Sequence, residues 1–137
     1  MGYKTVNKKQ QVKVQKVTEL LEEFKEKEPE LRGQILIIFP AGVPIASTWE
    51  SKFDPILVGA LTSAVKMTFQ HLCNHLKRGN LDRVFVNSDD GKSIIQNAGP
   101  NAILITILDY TADVYRLAFV ATNMALKIEQ IMEGFVE

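Results

Sequence analysis

The stretch "IIFPAGVPIAST", Ile37 to Thr48, decides how this chain is read. It lies within seventeen uncharged residues between Arg32 and Glu50 and carries a glycine at its middle. A membrane segment, a phosphate-cradling loop and a buried hairpin could each use such a stretch. A spanning helix needs about 20 apolar residues, and Pro40, Gly42 and Pro44 break this one. A phosphate loop needs GxxxxGK[ST] or GxGxxG spacing, and neither occurs. A hairpin remains. "QILIIF" has the length and β-branched character of a strand, and "VPIAST" reads as a shorter one. Phe39-Pro40-Ala41-Gly42 places proline second and glycine fourth, which predicts a type I turn followed by a left-handed glycine.

Upstream, Val14, Val17, Leu20, Leu21 and Phe24 recur at three- and four-residue steps between Gln10 and Lys27, the apolar stripe of a helix that Pro29 and Gly33 should end. Lysines at its start and glutamates toward its end oppose the helix dipole, so it should depend on packing. Downstream, Asp54-Pro55 is a helix start, with Asp54 as N-cap and proline at the first helical position. The helix should run to Lys77 or Arg78 and stop at Gly79-Asn80. Leu57, Leu61, Ala64, Val65, Thr68, Leu72 and Leu76 form one face, and Ile56, Val58, Ala60, Met67, Phe69 and Cys73 widen it. Polar positions are confined to a line through Thr62, Lys66, Gln70 and Asn74, expected to face solvent. A helix this apolar wants two partners, a sheet and a second subunit.

From Leu81 the chain reads as a three-strand meander, "LDRVFVNS", "KSIIQNA" and "NAILITILD". Ser88-Asp89-Asp90-Gly91 is expected to repeat the turn chemistry of the first hairpin, with Gly99-Pro100-Asn101 as the second turn. "AILITIL" and "ILIIF" are apolar without alternation and belong at the sheet centre, while "LDRVFVNS" fits an edge. A last helix should cap at Asp113 and run to about Gly134, with Leu117, Ala121, Met124 and Ile128 in its core stripe. The expected fold class is an α+β sandwich, α-β-β-α-β-β-β-α, with a five-stranded, mainly antiparallel sheet covered by helices on both faces.

At 137 residues the chain fits one domain, 1–137, with 1–9 expected as a flexible terminus. Sixteen basic residues balance sixteen acidic ones, so no global field favours nucleic acid or an anionic membrane, and no membrane insertion is expected. The lone Cys73 cannot pair internally, and "MGYKTVNKKQ" has no signal-peptide run, which suggests a cytoplasmic protein. Val6 stands where a myristoylation signal needs Ser or Thr.

No chemistry-bearing constellation emerges. His71 and His75 have the spacing of a metal pair but lack a third ligand. Cys73 reads as a small buried hydrophobe, and Asp89-Asp90 as a turn. Lys66, His71, Lys77 and Arg78 make a mildly basic surface without aromatic interleaving. Trp49 fits an exposed partner anchor or, equally, a core or dimer contact. Catalytic residues, cofactors and metals are expected to be none.

The element order, with "GVPIAST" after the first strand, "DDGKSIIQNAG" across the later hairpin and "AILITIL" as the last strand, resembles the roadblock/LC7 family, a profilin- and longin-like fold. The resemblance covers roughly Gln10 to Met132. It implies strand order 2-1-5-4-3 and dimers, homo- or heterodimeric, that pair third strands and pack second helices. On this chain that interface falls on Ile56, Leu57, Phe69, Leu76, Val84 and Val86. It also implies a non-enzymatic adaptor or regulator of a Ras-like small GTPase, either as scaffold or by accelerating GTP hydrolysis. The expected partner-binding line is Thr62, Lys66, Gln70 and Asn74. The alternative it carries is a dynein-type motor or cargo adaptor that binds a helix of another chain. Relatives usually have an acidic first-hairpin turn, where this chain has Phe39-Pro40-Ala41.

Overall fold

The computed structural model describes residues 6–135. Its elements are α1 (Lys8–Lys27), β1 (Leu31–Ile38), β2 (Val43–Ser47), α2 (Pro55–His75), β3 (Arg83–Ser88), β4 (Gly91–Asn97), β5 (Ala102–Leu108) and α3 (Val114–Ile131). Every strand pairing is antiparallel, and the sheet order is β2-β1-β5-β4-β3. The two unalternating apolar runs, β1 and β5, are neighbours in its middle, and β3 is an edge.

Because successive strand residues face opposite sides, this sheet builds two cores. Leu36, Ile94, Leu104 and Leu108 point to the side where α1 and α3 close a large cluster through Val17, Leu21, Leu117 and Ile128. Ile35, Ile37 and Ile105 point to the other, where Trp49, Phe53, Val58, Ile95 and Ile107 pack around them. Trp49 is thus a core contact.

Several local expectations change. α1 starts at Lys8, because Asn7 and Gln10 form a capping box: the Asn7 carboxamide accepts from the Gln10 N–H, and the Gln10 side chain accepts from the Asn7 N–H. Positions 7–9 are therefore ordered, while 1–5, including Lys4, lie outside the described residues. The last turn of α1 contains Lys25 and Lys27, which relieves the expected opposition to its dipole.

Gly33 does not end that helix. It sits within β1, where a Cβ would fall 2.7 Å from the Trp49 Cα, so glycine there admits a close backbone approach. At the first hairpin, Gly42 is left-handed at φ 75°, as expected, and the Phe39–Pro40 peptide is cis rather than the trans form of a type I turn. The second hairpin does not share the device. Gly91 pairs with Ser88 as a strand residue, and only Asp89 and Asp90 make the loop. α3 caps at Asp113 as expected and ends at Ile131, before the left-handed Gly134.

Candidate functional site

The second helix sits on the sheet the opposite way round from its sequence pattern. Thr62 is only 5% exposed, Ser63 is buried beside it, and Lys66 and Gln70 are half-buried. The line expected to face solvent is therefore largely turned inward, with only Asn74 of the four exposed. The cause is Gly59. A Cβ there would lie 1.8 Å from the Gly42 carbonyl oxygen, so helix and hairpin tip meet backbone to backbone, and only this face of α2 can come so close.

The inward polar groups are used in that seat. The Thr62 hydroxyl donates to the Val58 carbonyl at 2.7 Å. The Lys66 ammonium stands 3.9 Å above the Phe39 ring, and burial lowers its pKa from the ordinary lysine value. The Gln70 carboxamide accepts from the Leu81 N–H at 2.9 Å and donates to the Gly79 carbonyl at 3.1 Å, tying the loop that leads to β3. The uncharged hairpin tip is thus a support for α2.

What remains outside is mostly apolar. Ile56 is 81% exposed, and Leu57, Leu61, Met67, Phe69, Leu72 and Leu76 are exposed along the same helix. α2 is long and apolar enough to cross a membrane by length and composition. On the same side of the sheet, β3 shows half-buried Val84 and exposed Val86. Among the described residues only β4 pairs with β3, whose outer row of backbone groups has no strand partner there. No proline interrupts it and no lysine guards it, the usual means of blunting an edge.

The six interface residues expected from the sequence all lie on this surface, with Ile56, Leu57, Phe69, Leu76 and Val86 exposed. Sequence reading missed a second patch, on the opposite side: Tyr115, Phe119 and Leu126 form an exposed stripe on α3, and the Tyr115 ring lies 6.0 Å from that of Phe85 on β3. Its spacing of four and seven was legible.

Little here can do covalent chemistry. His71 and His75 are exposed, Cys73 is half-buried, and no group of three or more potential metal ligands converges among the described residues. The candidate site is therefore the exposed apolar face of α2 beside the open edge of β3.

Solved structures share this fold. The gliding protein MglB of Thermus thermophilus superposes with a TM-score of 0.76 at 20% identity, over 88% of this chain and 91% of that one. Myxococcus xanthus MglB gives 0.78 at 13% identity, over 86% and 95%. A roadblock/LC7 domain from Streptomyces avermitilis gives 0.70 at 14% identity, over 87% and 96%. No family profile and no curated protein sequence matches the chain. The fold is that of roadblock/LC7 proteins, as the element order implied.

Proposed function

We propose that this protein is a non-enzymatic, dimeric adaptor or regulator of a Ras-like small GTPase, acting in the cytoplasm. The observation that carries the dimer is the coincidence of two unsatisfied features on one side of the sheet. α2 turns its apolar face outward, and β3 beside it lacks an outer strand partner among the described residues. A second copy related by a twofold axis satisfies both at once. Its β3 continues the ladder, and its α2 covers the exposed leucines. Leu61, Leu72 and Leu76 continue the stripe of Val58, which packs on the sheet beside Ile95 of β4, and so face that axis.

The GTPase reading comes from the fold shared with the MglB proteins and from the roadblock/LC7 resemblance of the sequence. The helix flank away from the axis, with Ile56, Ala60, Met67 and Asn74, stays available to a partner after pairing. Relative to the sequence expectation, the partner surface moves from the inward Thr62, Lys66 and Gln70 to this flank, and Ile56, expected at the dimer interface, falls on the partner surface instead.

The test titrates fluorescent-nucleotide-loaded Ras-like GTPases of the source organism against wild type and Met67→Asp, with mass measured by light scattering. Wild type should bind, and Met67→Asp should remain dimeric and bind about tenfold more weakly, the loss of one apolar anchor. Equal affinity of the two proteins would exclude this flank. Failure of wild type to bind any such GTPase in either nucleotide state would overturn the GTPase assignment.

A further inference from the structure

The first helix carries a charge pattern that folding of the chain leaves unused. Val17, Leu21 and Phe24 of α1 face the large core. The outward face changes sign midway: Lys8, Lys9 and Lys16 come first, then Glu19, Glu22 and Glu26, all exposed. Lys8, Lys9, Lys16, Glu22 and Glu26 make no ion pair among the described residues. Local stability does not account for the order, because Lys8 and Lys9 stand in the first turn, where positive charge opposes the helix dipole.

We infer that this face is a self-association surface, and that its occupant is α1 of a second copy packed antiparallel against it. It lies on the side of the sheet opposite α2 and does not depend on the pairing proposed above. A twofold axis at the level of Val17 and Thr18 sets Lys16 opposite Glu19, and Lys8 and Lys9 opposite Glu26, and the symmetry repeats each contact. A parallel copy would set like charges together, which repel. Val12 is 54% exposed within this face, so its methyl groups and the lysine stems add apolar contact.

A partner of uniform charge fits less well. Lys8 to Glu26 spans about 27 Å of helix, so an anionic chain or membrane drawn to the lysines would meet the glutamates along the same helix. Exposed ion pairs are individually weak and screened by salt. The contact is therefore reversible and favoured at low ionic strength. It is strengthened where a dimer paired through β3 presents two α1 helices on one face of its sheet, so that both engage at once.

Sedimentation velocity of the full chain in about 0.01 M and about 1 M salt, where the screening length falls from about 30 Å to about 3 Å, reads the contact as mass. Wild type should have at least twice its high-salt mass at low salt. Lys9→Glu/Lys16→Glu and Glu19→Lys/Glu26→Lys should each keep the high-salt mass in both buffers, because every copy then meets its own charge. An equal mixture of these two variants should recover the low-salt assembly. Lys52→Glu/Lys127→Glu, with the same net charge as the first variant placed at exposed positions outside α1, should assemble like wild type. No rise in wild-type mass, assembly of either α1 variant alone, a mixture that stays at the high-salt mass, or loss of assembly in Lys52→Glu/Lys127→Glu would each overturn the surface. The high-salt mass, one chain or two, reports separately on the dimer through α2 and β3.

Discussion

The two sides of this sheet use helices in opposite ways. On one side, α1 and α3 hide their apolar stripes, and Leu21, Leu117 and Ile128 are fully buried against Leu36 and Leu104. On the other, α2 presses its glycine, threonine, serine and lysine onto the sheet and leaves leucines outside. Folding of the single chain completes the large core of the first side, although the Tyr115, Phe119 and Leu126 stripe of α3 stays exposed there. The second has its apolar surface left over, which is expected when burial is finished by another molecule.

That contrast can be broken at its strongest point first. Leu104→Ala, in the large core, should lower unfolding free energy by about 2–5 kcal/mol, read by urea denaturation. A loss as small as that of a surface substitution would mean that the large core does not carry the fold. Next comes the seat of α2. Gly59→Ala places a methyl group against the Gly42 carbonyl oxygen and should cost about 1–3 kcal/mol as the helix lifts. A neutral result would show that the helix does not depend on this backbone contact. Smaller again is Phe39→Leu, which removes the ring beneath Lys66. It should cost about 0.5–1 kcal/mol, and the same change with Lys66→Met already present should cost less.

The smallest effect is a pH dependence. Hydrogen bonds from Arg32, and then Thr111, hold the Asp109 carboxyl below its ordinary value of 3.8. A depressed folded pKa contributes stability above the unfolded value, and that contribution is lost as pH falls through the folded one. Asp109→Asn should therefore remove a small part of the acid sensitivity of the melting temperature and leave the rest. An unchanged acid profile would show that the exposed pair contributes nothing measurable.

Most of the fold was legible because its signals are local. The unalternating runs in β1 and β5, the Asp54-Pro55 start of α2 and the Asp113 cap each act within a few residues. The Asn7–Gln10 capping box was equally local, and its Asn-x-x-Gln spacing was there to be used. The orientation of α2 was not local. Polar residues on a mostly apolar helix read as its solvent face, and the contact that reverses this joins Gly42 to Gly59 across the fold. One clue did exist. Glycine inside a helix costs about 1 kcal/mol relative to alanine, so Gly59 called for a packing reason. The expected interface residues face outward because they were chosen for apolarity on a helix that turns its apolar face out, while Thr62, Lys66 and Gln70 of the expected partner line turn inward.

Light scattering of wild type beside Leu61→Asp tests the central claim most directly. Leu61 is 57% exposed in the single chain, so its replacement should change unfolding free energy of the monomer by no more than about 0.5 kcal/mol. Wild type should have the mass of two chains, and Leu61→Asp should be a folded single chain with an unchanged circular dichroism spectrum. A wild type that stays monomeric at high concentration, or a Leu61→Asp protein that remains dimeric, would contradict the account.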